Sequence, residues 1–262
     1  MNNVGQNWLL LRGLARESGH WGDFVNQLHV AFPKATINTL DLVGTGQFHH
    51  QKSPNTIEEI VMLAREHALQ LGYLNQPVTI LALSLGGMVA WEWMQKYPQD
   101  IYASVLVNTS LASLSPFYQR LRWQNYGQIM QILGANDILA RETAIVRLVS
   151  NLNDEALVKT AEKWTAIYNQ RPISFGTSFR QIMAAAKYKP TNQIIEKPVL
   201  LLNSLGDKLV SPSCSAAIQK EFRLLLEVHS TAGHDIPLDA PDWMIEKLIL
   251  FAALEFKLNS QH

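Results

Sequence analysis

Ser84 stands in the run Ala82-Leu83-Ser84-Leu85-Gly86-Gly87, between a strand-like apolar stretch (Val78 to Leu83) and a helix-like one (Met88 to Tyr97). A serine at such a junction is pushed out on a sharp turn, its hydroxyl exposed at the end of a sheet with a helix N-terminus beginning beneath it. That is where a nucleophile belongs. Ala82 and Gly86 are expected to be small because positions two before and two after the serine approach one another across the turn. A hydroxyl attacks poorly at neutral pH, so the chemistry also needs a base to take its proton and a carboxylate to fix the base's tautomer. Two downstream loops offer these groups. The strand-like run Pro198 to Asn203 leads into a loop holding Gly206 and Asp207, and the run Leu224 to His229 leads into one holding Gly233, His234 and Asp235. Singly, each is also an ordinary turn. Their order, serine then acid then histidine after successive strands, joins them into one nucleophilic constellation. The other histidines, among them His20, His29, His49, His50 and His67, fall outside such a loop.

Together these segments resemble the α/β-hydrolase family. The elbow is similar to G-x-S-x-G with Ala82 in place of the first glycine, and the histidine loop carries Asp239 where the family has glutamate. Asp41-Leu-Val-Gly44-Thr-Gly46 resembles the family's turn after the second strand; it lacks the third glycine and the first-strand position of a dinucleotide fingerprint. Arg12-Gly13-Leu14 resembles the family's H-G-x loop, with arginine replacing histidine. The resemblance implies Ser84 as nucleophile, His234 as general base and Asp207 as its orienter. It implies an oxyanion hole made by the backbone N–H groups of Leu14 and Leu85. Arg12 reads as a structural cation or as a substrate contact.

The elements that must position these residues alternate along the chain. Strand-like runs lie at 7–11, 36–41, 78–83, 103–108, 198–203 and 224–229, and helical patterns at 21–32, 56–71, 86–97, 212–221 and 241–256 connect them. Such alternation builds an α/β fold: a mostly parallel, six-stranded sheet flanked by helices. Only Met1 to Gln6 precede the first run, too few for the antiparallel hairpin with which the family's sheet usually begins, so all six strands are expected to run parallel. Residues 111–190 interrupt the alternation with amphipathic stretches carrying Phe117, Leu121, Met130 and Leu133, then Leu139, Ile145, Val146 and Val149, then Leu157, Trp164 and Ile167. Asn153-Asp154-Glu155 marks the start of the third and Arg171-Pro172 its end. The resemblance makes 111–190 an all-helical cap inserted into a core of 1–110 and 191–262. Trp21, Phe117, Trp123 and Trp164, with Arg12, are the substrate-binding candidates, against a packing role for each.

Composition narrows the function. With 22 basic and 22 acidic residues the net charge is zero, and no basic run recruits nucleic acid or an anionic membrane. The lone cysteine, Cys214, excludes an intramolecular disulfide, and no His/Cys cluster suggests a metal. No apolar stretch reaches membrane-spanning length and no signal-like N-terminus is evident, which predicts a cytoplasmic protein without membrane insertion. The expected activity is hydrolysis of carboxylic esters of small to medium neutral acyl groups, through an acyl-enzyme and without organic cofactor or metal. Thioesterases, carbon–carbon bond hydrolases and perhydrolases share the same fold and triad, and a hydrolase-like small-molecule receptor is the alternative of another class.

Overall fold

A computed structural model describes residues 7–190 and 196–259. The expected return to the core at 191, and Met1 to Gln6, lie outside the described residues. In chain order the elements are β1 (Trp8–Leu11), α1 (Phe24–Ala31), β2 (Ile37–Leu40), α2 (Ile57–Gln70), β3 (Val78–Leu83), α3 (Leu85–Lys96) and β4 (Ile101–Val107). There follow five helices: α4 (Phe117–Arg120), α5 (Tyr126–Gly134), α6 (Ile138–Val149), α7 (Asp154–Gln170) and α8 (Phe175–Lys187). The chain then returns through β5 (Val199–Ser204), α9 (Ser213–Phe222), β6 (Leu225–His229), α10 (Ile236–Asp239) and α11 (Pro241–Asn259).

The strands form one sheet in the order β2-β1-β3-β4-β5-β6, and every pairing is parallel. The inner strands read as unbroken apolar runs because both their faces are covered: Trp8-Leu-Leu-Leu11 and Val78-Thr-Ile-Leu-Ala-Leu83 are buried throughout. Alternate residues serve opposite faces. Leu9, Leu11, Ile80 and Ala82 pack with α2, α3 and α9 on one side, while Trp8, Leu10, Leu81 and Leu83 pack with α1 and α11 on the other. The edge strands β2 and β6 are less buried, which is why β6 tolerates Glu227 and His229. Among the described residues no helix is long and apolar enough to cross a membrane.

The helices between β4 and β5 hold a small apolar cluster of their own, built from Val146, Leu157, Ala161 and Trp164. Asn153 caps α7 as its sequence suggests, accepting the Ala156 N–H at 2.9 Å. The stretch expected from Phe117 to Leu133 as one helical pattern is instead broken into α4, a 3-10 turn at Trp123–Asn125, and α5. The loop after β5 competes for its backbone. The Arg122 N–H goes to the Leu209 carbonyl at 2.9 Å, the Gln119 carbonyl accepts from Ser211 N–H at 2.8 Å, and the Arg122 side chain donates to the Asp207 carbonyl at 2.7 Å. The helix α8, for which no periodicity was read, starts on a cap in which the Ser174 hydroxyl accepts from Thr177 N–H.

Candidate active site

In a parallel sheet all strands end on the same side, so the segments after β1, β3, β4, β5 and β6 meet there, and the strand order turns back between β1 and β3. Ser84 lies at that point. It follows β3 directly and precedes the first residue of α3, with φ +56° and ψ −114°, a conformation that residues with a Cβ seldom adopt. It is partly exposed among buried neighbours. A Cβ on Gly86 would stand 2.7 Å from the Leu11 carbonyl oxygen and 2.8 Å from that of Arg12. The close neighbour that requires a glycine here is the end of β1. The result is that β1 and α3 pack tightly enough to bring the β1 loop to the serine: a Cβ built on Gly13 would lie 3.2 Å from Ser84 Cβ.

Asp207 and His234 are brought together. Asp207 Oδ2 lies 2.7 Å from His234 Nδ1, and both side chains are almost wholly buried. The other carboxylate oxygen, Oδ1, accepts the Leu209 N–H at 2.7 Å and the Val210 N–H at 2.9 Å. Two backbone donors thus hold the carboxylate so that its second oxygen faces the imidazole, and Nδ1 so engaged leaves Nε2 as the basic nitrogen. The histidine loop is braced as well. Asp239 Oδ2 accepts from Gly233 N–H at 2.6 Å and Asn151 N–H at 2.7 Å, and Asp235 N–H donates to the Val149 carbonyl at 2.8 Å. Aspartate in place of the family's glutamate is long enough for this. Burial foremost raises the Asp239 carboxyl above its ordinary pKa, against the two backbone N–H groups that lower it.

Sequence reasoning missed one further brace. Asn108, at the end of β4 with φ +46°, donates to the His234 carbonyl at 2.8 Å and accepts the Ser204 N–H at 3.1 Å. It links the ends of β4 and β5 to the histidine loop. Its type and its place at a strand end were readable, but its partners are backbone atoms 96 and 126 positions away, which leave no local pattern.

The β1 loop carries Leu14, which is 38% exposed. Its neighbour Ala15 gives its N–H to Gln181 Oε1 at 2.8 Å, and Arg16 N–H closes onto the Gly13 carbonyl at 3.3 Å. Leu85 is the first residue of α3, where helical N–H groups point forward without intrahelical acceptors.

The five substrate-binding candidates are scattered. Arg12 is buried and paired through both terminal nitrogens with Asp235, one contact being 3.2 Å from Nη1 to Oδ1. Its guanidinium also lies 4.9 Å from the Trp21 ring centroid, and Trp21 belongs to the apolar layer with Phe24. Trp164 is buried against Arg16, 4.5 Å from its ring, and against the edge of His20. Phe117 and Trp123 are 48% and 62% exposed on separate short turns. These placements give Arg12, Trp21 and Trp164 packing and pairing partners within the protein.

His20 sits inside this cluster. The Arg16 guanidinium can only donate, so its 3.1 Å contact with His20 Nε2 fits a neutral ring, whose Nδ1 lies 3.2 Å from the Glu17 backbone nitrogen and 3.3 Å from its carbonyl. Burial, and then the positive charges of Arg16 and Arg12, drive the His20 pKa well below its ordinary value; the Glu17 carbonyl opposes this and Arg171 adds to it. An unfolded histidine takes up a proton near pH 6.5 whereas the folded one does not, so this contribution to stability is complete above that pH and is lost as pH falls below it. Unfolding free energies from urea titrations between pH 7.5 and 5.5 should decline more steeply for the natural chain than for His20→Gln, by up to about 1.4 kcal/mol per pH unit. Equal slopes would remove His20 from the account.

Comparison with known proteins bears on the fold. No curated protein matches the chain. Among solved structures, a thermophilic esterase from Thermogutta terrifontis is similar at TM-score 0.73 and 17% identity, over 96% of this chain and 91% of that one. A lipase-esterase related protein from Clostridium acetobutylicum matches at TM-score 0.72 and 15% identity, over 95% and 96% of the two chains. A hydrolase from Oleispira antarctica matches at TM-score 0.71 and 16% identity, over 95% and 93%. At such identities these likenesses concern the fold. A family model for the alpha/beta hydrolase fold matches residues 9–241, nearly the whole sheet with its loops, and the chain therefore belongs to the alpha/beta hydrolase fold family.

Proposed function

We propose that this protein is a serine hydrolase that cleaves carboxylic esters through an acyl-enzyme. The observation that carries the proposal is the buried 2.7 Å contact between Asp207 and His234, with Asp207 held by two backbone amides; a serine on a strained strand-to-helix turn at the same end of the sheet supports it. In this mechanism His234 Nε2 takes the Ser84 proton as Oγ attacks the ester carbonyl. The Leu14 and Leu85 N–H groups, with the positive end of α3, stabilise the oxyanion. His234 then protonates the departing alcohol, and water, activated by the same nitrogen, releases the acid. Asp207 stays ionised throughout and stabilises the imidazolium.

We further read residues 111–190 as a cap that shapes the acyl pocket. Its buried contacts to the β1 loop, Arg16 to Glu142 at 2.8 Å and Glu17 to Arg171 Nε at 2.9 Å, support a place beside Ser84. The preferred substrates are esters of neutral acyl groups of small to medium size, since the chain has no net charge and the arginines nearest the β1 loop are already paired. A fluorophosphonate, whose phosphorus mimics the tetrahedral acyl centre, should form one adduct, at Ser84. Peptide mapping that finds the label on Ser110 or Ser204 would move the active site. On p-nitrophenyl acetate, butyrate, hexanoate and octanoate, kcat/KM should rise and then fall; stoichiometric binding with negligible turnover would instead favour the receptor reading.

A further inference from the structure

Gln181, on α8, has no exposed surface. Its Oε1 accepts the Ala15 N–H at 2.8 Å, one residue beyond the proposed oxyanion donor Leu14. A backbone N–H can only donate, so the orientation of the side-chain amide is settled: oxygen toward Ala15, nitrogen away. That nitrogen is buried with no hydrogen-bond partner among the described residues. An amide is therefore kept where one of its two polar ends is penalised, and methionine, of similar volume, would avoid the penalty. What the amide provides in return is the single acceptor for Ala15.

Ala15 needs such an anchor. Its φ of +51° is left-handed, a conformation that a residue with a Cβ keeps only when its surroundings impose it. The turn is closed on one side by Arg16 N–H on the Gly13 carbonyl at 3.3 Å. The Leu14 N–H belongs to the same planar peptide as the Gly13 carbonyl, so its direction is tied to the closure of this turn. The turn is held from outside by Gln181 at Ala15, Glu142 at Arg16 and Arg171 at Glu17, and of these the Gln181 contact is the one made to the backbone, at the residue next to Leu14.

We propose that Gln181 is a positioning residue for the oxyanion hole: by engaging Ala15 N–H it keeps the Leu14 N–H aimed at the carbonyl oxygen of an ester on Ser84. This rests on the serine-esterase reading above. Two substitutions separate positioning from packing. Gln181→Met keeps the volume and removes the acceptor; Gln181→Glu keeps an oxygen for Ala15. With p-nitrophenyl butyrate, Gln181→Met should lower kcat by about 10- to 100-fold, the scale of a displaced or partly lost oxyanion donor, with KM changed by less than about threefold. Affinity for a trifluoromethyl ketone, whose tetrahedral adduct occupies the oxyanion hole, should fall by the same factor. Gln181→Glu should recover most of both. A Gln181→Met enzyme with wild-type kcat, a Gln181→Glu enzyme as impaired as Gln181→Met, or ketone affinity that does not follow kcat would each overturn the proposal. If circular dichroism shows Gln181→Met unfolded, Gln181→Ser, which withdraws the acceptor without crowding, takes its place with the same outcomes. Failure of the esterase reading would appear separately in the unaltered protein, as no turnover of any ester and no fluorophosphonate adduct at Ser84.

Discussion

Replacing Asp207 by asparagine is expected to lower kcat by roughly ten-thousand-fold, the loss seen for the analogous change in serine proteases, while the protein stays folded. The size of the effect follows from the two donors on Oδ1. Leu209 and Val210 N–H groups demand an oxygen at that position, so an asparagine must place its oxygen there and turn its NH2 toward His234 Nδ1. The imidazole can then satisfy the NH2 only by presenting a lone pair at Nδ1, which moves its proton to Nε2. A protonated Nε2 cannot accept the Ser84 proton, and no carboxylate remains to stabilise an imidazolium. Steady-state kinetics with circular dichroism on the same preparation tests this. Turnover within tenfold of the natural enzyme would dismiss Asp207 as the orienting acid.

Asp235→Asn is expected to show the opposite profile. Although it adjoins the histidine, Asp235 is committed to Arg12, and both side chains are nearly inaccessible to solvent. Removing the acid leaves a buried guanidinium without its counter-charge, a change that costs about 3–5 kcal/mol of stability. For a chain of this size that lowers Tm by roughly 10 °C. The kcat of the folded fraction should stay within about tenfold of the natural value, since the Asp207 to His234 contact is untouched. Replacing both partners with apolar residues, Arg12→Met with Asp235→Leu, should recover much of the loss, because two buried charges and their desolvation disappear together. Thermal melts of the single and double variants decide the point. An unchanged Tm in Asp235→Asn, or a double variant no better than the single, would show that the pair is not what holds the two loops together.

What could be read from the chain alone depended on how local each signal was. Buried parallel strands are continuous apolar runs, so Val78 to Leu83 declared itself, and all six strands appear within two or three residues of their expected bounds. The elbow and the two loops were legible for a similar reason: each has a distinctive small residue, Gly86, Gly206 or Gly233, next to the functional one. The bracing was not legible. Arg12 meets Asp235 across 223 positions and Ala15 meets Gln181 across 166, and nothing near either end of these contacts announces the other. Arg12 illustrates the limit well. As a residue type it suits an anionic ligand or a buried partner equally, and only the fold supplies Asp235. The broken helix from Phe117 to Leu133 failed differently, since its apolar spacing is helical and is overruled by backbone bonds to the loop after β5.

The segment from Ala15 to Glu17 is gripped at three points by three different helices of the 111–190 insertion: Gln181 of α8 holds Ala15, Glu142 of α6 holds Arg16, and Arg171 at the end of α7 holds Glu17. A hinged insertion swinging away from the sheet would have to break all three at once and bare two carboxylates, Glu17 and Glu142, that are now almost sealed from water. Such a motion carries the cost of unpairing buried charges. Leu14, at the start of the same turn, faces solvent and can move while the grip on Ala15 to Glu17 stays closed. Rotamer changes of exposed side chains take picoseconds to nanoseconds. A loop held in this way can rearrange at its exposed tip within nanoseconds while its base keeps a single arrangement.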